Sequence, residues 1–476
     1  MATRTGISFL IDTEVTPASF QDLAKSIQQH YILPSKERFA NVERRLVDQD
    51  YLLSFTLLGP EEKWHVDIEI RTGQPIEVKM NPSDETVPQM VLDGLKEDLF
   101  LAVQLFEEQV RRTTLYFAWV EGEPVVLEKP MGRRKNIVYK LFTESMLMFF
   151  ILFIAASIVL FMFFGGYAPV ILVAMQFVMV LFSNKIVARM GNWRITRDKA
   201  NVHIFQYHLP VEEYRDFRKR FSREILMKMK AEIYEKTLAI GKGVDCEAVG
   251  EVFSKYGFEC VRENMSTKTV NVYDIVERVA DRFGLPVPDI VVANTILPNA
   301  AASGPSPSQG VILITTGLLV QLEDDEILNV VGHEFSHLKA RDPLVLFGLT
   351  AAEYLLRFYV FWPFLFSFFG YFYLFFALTI VYFIAKFFEG RADLEAAVKI
   401  GQPEVMAEAL RKIGFQRLRF ERLPSYRIQG WIGWDPHPPI YFRVSRLEKL
   451  KEPEKVKYPL IQSIKDNISG FLDALR

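Results

Sequence analysis

The sequence predicts an α+β protein that is mostly helical, with a small sheet, two transmembrane helical hairpins and a soluble α+β domain at its N-terminus. Two long apolar blocks interrupt a chain that is otherwise rich in charge. Strand-like alternation dominates before the first block, and helical periodicity dominates elsewhere. The predicted parts are the soluble domain at 1–130, the first hairpin at 136–188, a cytosolic helical region at 189–297, an edge strand with a helix at 298–343, the second hairpin at 344–388 and a C-terminal helical part at 389–476.

The composition fits a protein with membrane segments. Of the 476 residues, 50% are hydrophobic and 40 are Phe. The 56 Lys and Arg nearly balance the 58 Asp and Glu, so the charge gives no sign of a nucleic-acid partner. The two cysteines do not make a disulfide framework and favour a reducing compartment. The first residues lack the apolar run of a cleaved signal peptide.

The N-terminal domain shows the alternation of half-buried strands. The predicted strands lie at 7–11, 51–58, 64–71 and 115–120, and the predicted helices at 17–30 and 87–111. No catalytic constellation is visible in this domain, because its histidines are isolated in the sequence. The sequence therefore predicts its fold class and leaves its role open.

The first apolar block predicts a membrane hairpin, because Gly165-Gly166 and Pro169 divide it into two segments. Basic residues flank both ends, and the connecting turn has no charge. The residues before it are Arg133, Arg134, Lys135 and Lys140, and those after it are Lys185, Arg189, Arg194 and Arg197. Basic flanks favour the cytoplasmic side, so both ends and the N-terminal domain are expected there. A buried hairpin in a soluble core is the alternative.

The region between the hairpins predicts a helical, cytosolic segment. Apolar residues recur every four positions from Phe217 to Ile233, which predicts the core-facing side of one helix, or else a helix on the membrane surface. Further helices are expected near 245–256 and 272–283, each followed by glycine. A strand is expected at 289–293.

Small side chains at 298–304 include Asn299, Ala300 and Ala301. A peptide could lie against such a backbone and pair with it as an additional strand, whatever its own side chains. This stretch therefore predicts a substrate-binding edge strand. An ordinary loop rich in Gly, Ser and Pro is the alternative.

An amphipathic helix follows, with acidic residues at its start and Pro343 at its end. His333 and His337 are four residues apart on it, so their imidazoles project from one face. Such a pair can chelate one zinc ion. Glu334 lies beside that position, where a carboxylate can take a proton from a water molecule that the metal activates.

A catalytic zinc needs a third protein ligand and an open position. Glu389 is the best candidate, because it begins a helical stretch whose small residues allow close packing on the first helix. Asp393 lies four residues later on the same face and could accept the free ring N–H of a ligand histidine. Glu395 is a rival ligand. A solvated edge outside a membrane helix is the alternative for both Glu389 and Asp393.

The second apolar block lies between the histidine pair and Glu389. Basic residues stand at both of its ends, so the sequence predicts that both ends face the cytoplasm. The two candidate ligand helices then adjoin the two arms of one hairpin. This arrangement predicts a metal site at the cytoplasmic surface of the membrane.

Several of these motifs together resemble the HtpX-like integral-membrane zinc endopeptidases, relatives of the type I CAAX prenyl protease. The similarity extends from about residue 276 to residue 447. The matching motifs are Pro298-Asn299-Ala300, Thr315-Thr316-Gly317-Leu318-Leu319, His333-Glu334-Phe335-Ser336-His337, Arg341-Asp342, Glu389 with Ala392-Asp393, and His437-Pro438-Pro439 with Arg443. The family usually has an aromatic residue at two positions where this chain has Ala301 and Gly390.

The resemblance implies a membrane-embedded, zincin-like peptidase domain with one zinc ion per chain. The implied zinc ligands are His333, His337 and Glu389. Glu334 would act as general base, His437 would stabilise the oxyanion, and Arg443 would anchor the substrate or the site. The implied substrates are polypeptides, chiefly membrane proteins cleaved at the cytosolic face in protein quality control.

Three other hypotheses remain open from the sequence. A CAAX-type processing protease is similar in motif, but it has more membrane helices than the four predicted here. An intramembrane site-2-type protease would need the motif inside an apolar span and an aspartate as third ligand. A non-catalytic membrane scaffold or transporter with a structural zinc would share the ligands without the chemistry.

Overall fold

The computed structural model describes residues 6–47, 50–123, 125, 146–361 and 368–475. The chain divides into two compact units, one formed by Met1–Phe117 with Ile204–Lys268 and the other by Ala118–His203 with Thr269–Arg476. The helices, in chain order, are α1 (Phe20–Ile27), α2 (Gln89–Arg112), α3 (Met146–Phe164), α4 (Ala168–Leu181), α5 (Ser183–Ala188), α6 (Val211–Arg220), α7 (Arg223–Lys236), α8 (Cys246–Lys255), α9 (Val272–Phe283), α10 (Thr316–Gln321), α11 (Asp324–Ala340), α12 (Asp342–Tyr359), α13 (Phe368–Ile400), α14 (Pro403–Glu421), α15 (Pro424–Ile432), α16 (Ile440–Lys449) and α17 (Pro459–Leu475). The strands are β1 (Ile7–Ile11), β2 (Phe39–Val47), β3 (Asp50–Leu58), β4 (His65–Arg71), β5 (Ile76–Pro82), β6 (Thr114–Val120), β7 (Trp193–Ile195), β8 (Asn201–His208), β9 (Met265–Asn271), β10 (Asp289–Ala293), β11 (Ala300–Ser303) and β12 (Val311–Thr315).

The first unit contains a five-stranded antiparallel sheet in the order β1-β5-β4-β3-β2. The predicted strands β1, β3, β4 and β6 and the helices α1 and α2 are confirmed. β2 and β5 were not predicted. β2 is charged and exposed along most of its length, and Pro75 and Pro82 bracket β5 although its side chains alternate cleanly.

The helical part of this unit differs from the sequence prediction at one point. The predicted single helix through Phe217 and Ile233 is interrupted between α6 and α7, where the Ser222 hydroxyl accepts a hydrogen bond from the Ile225 N–H and caps the second helix. The apolar residues of the stripe still face the core, since Phe217, Phe221 and Ile233 are buried. The core-face interpretation is therefore confirmed, and the single helix is wrong.

The region 189–297 also contains strands that the prediction of a helical segment leaves out. β8 and β9 form a three-stranded sheet with β6 in the order β6-β8-β9, and β7 joins another sheet. Buried and partly exposed residues largely alternate in β8, whereas Val270 is the only buried residue of β9. The many polar side chains of β9 conceal this strand in the sequence. The predicted elements α8, α9 and β10 are confirmed.

The second unit contains a four-stranded sheet in the order β11-β12-β10-β7. β10 and β12 run parallel, while β11 and β7 are antiparallel to their neighbours. Every residue of β12 is buried, as expected for a strand with neighbours on both sides. β11 is an edge strand, so the alternative of an ordinary loop is wrong for Ala300–Ser303.

Helix α11 begins with the acidic residues that the sequence analysis singled out. The Glu323 side chain and the Glu326 side chain form a capping box that satisfies two free backbone N–H groups. The helix ends before Arg341, whose backbone is left-handed with φ 57°. Pro343 does not end α11 directly but occupies the first turn of α12, where its missing N–H costs nothing.

The apolar blocks form helices. The first contains α3 and α4, separated at Gly165–Tyr167, and the second contains α12 and the start of α13. α4 and α12 run antiparallel, because Phe177 stacks on Phe347 and the Tyr359 hydroxyl donates to the Gly166 carbonyl at 2.6 Å.

Two stretches of the described helices, Ala155–Leu181 and Phe372–Ile400, are long and apolar enough to cross a membrane. In each stretch, only 17% of the apolar segment is buried inside the protein, which argues against a hairpin in a buried core. The four-span topology and the cytoplasmic orientation stay predictions. The basic residues Arg133, Arg134, Lys135 and Lys140 and the connection 362–367 lie outside the described residues.

Gly390 allows α17 to approach α13 closely. A Cβ atom at this position would lie 2.4 Å from the Ser463 hydroxyl and 2.7 Å from the Asn467 amide nitrogen. The Gly390 carbonyl also accepts a hydrogen bond from Arg446 at 2.9 Å. The departure from the usual aromatic residue therefore has a packing reason, since an aromatic ring would occupy the space of α17.

We expect Gly390→Ala to lower the unfolding free energy by about 1–3 kcal/mol, because overpacking outweighs the better helix propensity of alanine. Thermal unfolding of the purified protein in detergent would measure this. Gly348→Ala on α12 is the matched control, because open space surrounds that glycine and the substitution should be neutral or stabilising. Equal stability of the two variants would contradict the packing argument.

Candidate metal centre

Helices α11 and α13 bring three predicted metal ligands together. The side chains of His333, His337 and Glu389 offer ligand atoms that all lie within 4.8 Å of one another. The two Nε2 atoms of the histidines are 3.1 Å apart. The Glu389 carboxylate oxygens lie 3.4 Å from Nε2 of His333 and 3.5 Å from Nε2 of His337.

Close helix packing produces these distances. Gly332 precedes the first histidine, and a Cβ atom there would lie 3.1 Å from Ile400 and 3.6 Å from Ala396. Because neither Gly332 nor Ala396 projects beyond a methyl group, the backbones of α11 and α13 can approach. The small residues that the sequence analysis noted after Glu389 therefore have the predicted effect.

The three side chains fit a zinc ion. Tetrahedral zinc with nitrogen and oxygen ligands at ~2.0–2.2 Å separates its ligand atoms by roughly 3.3–3.6 Å, close to the separations in this cluster. Oε2 of Glu389 is buried and accepts no hydrogen bond from the described residues. A buried carboxylate oxygen without a donor is costly unless a cation satisfies it.

Asp393 lies behind His333, as predicted, and is fully buried. Its Oδ1 is 3.0 Å from Nδ1 of His333. Arg443 donates two hydrogen bonds to the Asp393 carboxylate at 2.7 and 2.9 Å, and Arg446 donates a third at 3.1 Å. The guanidinium of Arg443 is thus engaged inside the protein, a geometry that favours anchoring of the site over contact with substrate.

The charges around His333 favour a cation at this position. Burial by itself lowers the pKa of His333, but the carboxylates of Asp393 and Glu389 outweigh it and raise the pKa to about 10. The same carboxylates would attract a metal ion in place of the proton.

His337 has its own partner, which the sequence analysis missed. Nδ1 of His337 is 2.6 Å from Oδ2 of Asp342, and Arg391 donates to the same oxygen at 2.6 Å. Each histidine of the pair is therefore backed by an aspartate that an arginine holds in place. The sequence signal was the Arg341-Asp342 motif, which the sequence analysis cited only for the resemblance.

Glu395 is excluded as a rival ligand by its contacts. It accepts a hydrogen bond from the Ser336 hydroxyl at 2.6 Å and pairs with Lys339. Both of these partners lie on α11, so Glu395 contacts the histidine helix. Its carboxylate is not among the grouped ligand atoms of His333, His337 and Glu389.

The candidate base Glu334 is tied to the edge strand. Its Oε2 accepts a hydrogen bond from the Ala302 N–H at 2.7 Å. Because this N–H is not bonded to the neighbouring strand, it points to the open edge of β11. The hydrogen bond therefore places the Glu334 carboxylate at the edge where another strand could add. Ala300 and Ala301 lie in β11, whereas Asn299 precedes it and exchanges hydrogen bonds with Thr315. Ala302, not singled out from the sequence, is the residue that touches Glu334.

His437 also reaches the cluster. Its Nε2 is 3.7 Å from Oε2 of Glu389, and its Nδ1 is 2.9 Å from Oδ1 of Asp435. Asp435 accepts a hydrogen bond from Arg417 at 2.6 Å. The fully buried Lys386 donates to the backbone carbonyls of Gly433 and Asp435. Neither Asp435 nor Lys386 was predicted as part of the site. No local pattern indicates that a lysine near the end of an apolar block donates hydrogen bonds to a loop that is distant in the sequence.

A family comparison matches this part of the chain. The model of peptidase family M48 matches residues 266–451, which include all the residues of the cluster. Residues 266–451 are therefore similar to peptidase family M48 and to its HtpX-like members. The resemblance predicted from the sequence is confirmed.

Curated relatives carry the description "Protease HtpX homolog". The protein of Thermodesulfovibrio yellowstonii is 38% identical over 94 residues, which cover 20% of this chain and 32% of the relative. That of Methanothermobacter thermautotrophicus is 35% identical over 155 residues, which cover 30% and 58%. That of Pyrococcus furiosus is 39% identical over 94 residues, which cover 20% and 32%. The chain thus spans between about a third and three fifths of the length of these relatives.

We expect Arg443→Lys to weaken zinc binding of this HtpX-like domain by about 10–100-fold, because an ammonium cannot replace the bidentate contact with Asp393. Competition with a chromogenic chelator would measure the affinity. Arg446→Lys is the matched control: it loses a single hydrogen bond to the same carboxylate and should change the affinity less. A larger loss in the control would contradict the anchoring role.

Proposed function

We propose that the protein is a zinc-dependent endopeptidase of the membrane that hydrolyses peptide bonds of membrane or membrane-associated proteins at the cytosolic face, in protein quality control. One observation supports this most strongly: the His333, His337 and Glu389 cluster lies beside an edge strand to which Glu334 is hydrogen-bonded. The family match and the relatives' descriptions support the reaction class.

The ligands in this proposal are the Nε2 atoms of His333 and His337 and the carboxylate of Glu389, which hold one zinc ion. When bound, zinc supplies a Lewis acid that lowers the pKa of a water molecule to about 7 in favourable sites. The Asp393 and Asp342 carboxylates lie 3.0 Å and 2.6 Å from Nδ1 of His333 and of His337, respectively. A carboxylate on the Nδ1 side of each ring leaves Nε2 as the nitrogen that faces the cluster.

Glu334 is the proposed general base. The Ala302 N–H holds one of its carboxylate oxygens, which fixes the carboxylate and leaves the other oxygen to take a proton from the attacking water. The same carboxylate then returns the proton to the leaving amine. His437 is the proposed oxyanion donor, since Asp435 holds Nδ1 and leaves Nε2 directed to the cluster.

Substrate binding follows from the edge position of β11. An extended peptide that adds to this edge is held by its main chain, so recognition depends little on side-chain identity. Ala300 and Ala301 leave room above the strand where a larger side chain would stand. This arrangement supports cleavage within chains, because it needs neither terminus of the substrate.

The membrane location rests on the apolar helices. Glu389 follows the apolar part of α13, and α12 begins two residues after α11 ends. The cluster therefore adjoins the end of an apolar arm. The basic residues around it support the cytosolic side.

We expect Glu334→Gln to retain zinc and lose nearly all cleavage, because the amide cannot accept the proton. Metal content and hydrolysis of a quenched fluorescent peptide would be measured on the same preparations. Asp324→Asn, at the exposed start of the same helix, should keep both properties, and His333→Ala should lose the metal itself. Full activity of Glu334→Gln would reject the assignment of the base. Zinc retention without cleavage in the parent protein would support a non-catalytic scaffold instead.

We expect Asp435→Asn to lower kcat by about tenfold or more with KM and zinc content unchanged, because it loosens the orientation of His437 rather than substrate binding. His437→Ala should lower kcat further, by about 100-fold, as for loss of one oxyanion donor. Glu454→Gln, at an exposed position in the connection before α17, is the control. A rise in KM with unchanged kcat would show that Asp435 acts on substrate binding.

A further inference from the structure

Helices α15 and α17, together with the residues flanking α15, expose a set of large apolar side chains. We call this set the collar; each member exposes between 42% and 54% of its surface. The collar residues are Phe420, Leu423, Tyr426, Ile432, Trp434, Ile468, Leu472 and Leu475. A water-facing surface rarely gathers so many large apolar groups, so the collar requires a partner.

Side-chain contacts attach the collar to the apolar part of α13. The Trp434 indole N–H donates to the Thr379 hydroxyl at 3.2 Å, and its ring packs on Phe375. On α17, Phe471 packs edge-to-face on Phe383. The collar therefore lies beside the part of α13 that comes before Glu389 in the sequence.

The depth of these contacts follows from helix geometry. Thr379 lies ten residues before Glu389, which corresponds to about 15 Å along the helix axis. That distance is half the thickness of the hydrocarbon core of a bilayer, roughly 30 Å. The Trp434 contact thus lies well inside the apolar segment rather than at its end.

The surface of α13 at the same level is also exposed and apolar. Phe372, Phe375, Phe376 and Ile380 each expose 48% to 58% of their surface. The collar continues this surface, and its aromatic residues together with the exposed Arg419 and Arg427 have the composition of a membrane interface. Basic side chains there complement lipid phosphates, whereas a second copy of this chain would bring the same positive charges together.

We propose that the collar is embedded in the lipid leaflet on the side of the metal cluster, so that α15 and the end of α17 form a monotopic platform beside the membrane span. This inference rests on the membrane location given under the proposed function, and not on the peptidase activity. Because α15 leads directly to His437, the platform places the membrane surface next to the cluster. Substrate segments would then meet β11 as they leave the bilayer.

Single-cysteine variants would test the platform in the full chain. Tyr426→Cys and Leu472→Cys, on a Cys246→Ser/Cys260→Ser background, would be labelled with an environment-sensitive fluorophore and placed in nanodiscs of phosphatidylcholine and phosphatidylglycerol. Phe376→Cys on the span is the positive control, and Lys451→Cys in the connection before α17 is the negative control. Zinc content and thermal unfolding would confirm that each variant is folded.

We expect a blue-shifted emission and loss of fluorescence with brominated lipids at Tyr426 and Leu472, as at Phe376, and neither effect at Lys451. Quenching at Phe376 alone would overturn the platform and leave the membrane span standing. A blue shift that depends on protein concentration, without lipid quenching, would assign the collar to a second copy. Absence of quenching at Phe376 would overturn both the platform and the membrane location, while peptide cleavage tests the peptidase proposal separately.

Discussion

The close approach of α11 and α13 is the constraint on which the rest of the site depends. The histidine pair lies on one helix and Glu389 on the other, with an apolar block of the chain between them. Gly332 and Ala396 have small side chains, so the two helix backbones can approach closely. Ligand atoms from two distant parts of the sequence therefore come within 3.5 Å of one another. A larger side chain at this contact would push the two helices apart and so separate the ligand atoms, although the ligand residues themselves would be unchanged.

The same contact buries charge, and the two aspartates behind the histidines have arginine partners. Asp393 is satisfied by Arg443 and Arg446, and Asp342 by Arg391. An unpaired charge in such a place costs several kcal/mol, whereas a paired and hydrogen-bonded one is tolerated. The arginines therefore make it possible for carboxylates to stand behind both histidines. Their planar guanidinium groups suit two-oxygen contacts that lysine cannot make.

The sequence predicted what depends on local patterns. The helix that carries His333 and His337, its acidic start and strand β10 were all predicted from short stretches of sequence and are confirmed. Partners that lie far apart in the chain were missed, namely the Arg391 contact with Asp342 and the Lys386 contact with the loop of His437. Such pairs have no mark in the sequence, because only the packing of helices decides which charges meet.

The left-handed residue Arg341 joins α11 to α12 with no intervening loop. A non-glycine residue in this conformation is strained by about 1–2 kcal/mol, which the two helices must offset by holding their own positions. The angle between the helix with the histidines and the apolar arm is therefore set by two backbone torsions. A residue that preferred the right-handed region at this position would send α12 in another direction from the end of the histidine helix. The course of the chain away from the metal cluster is thus decided at a single residue.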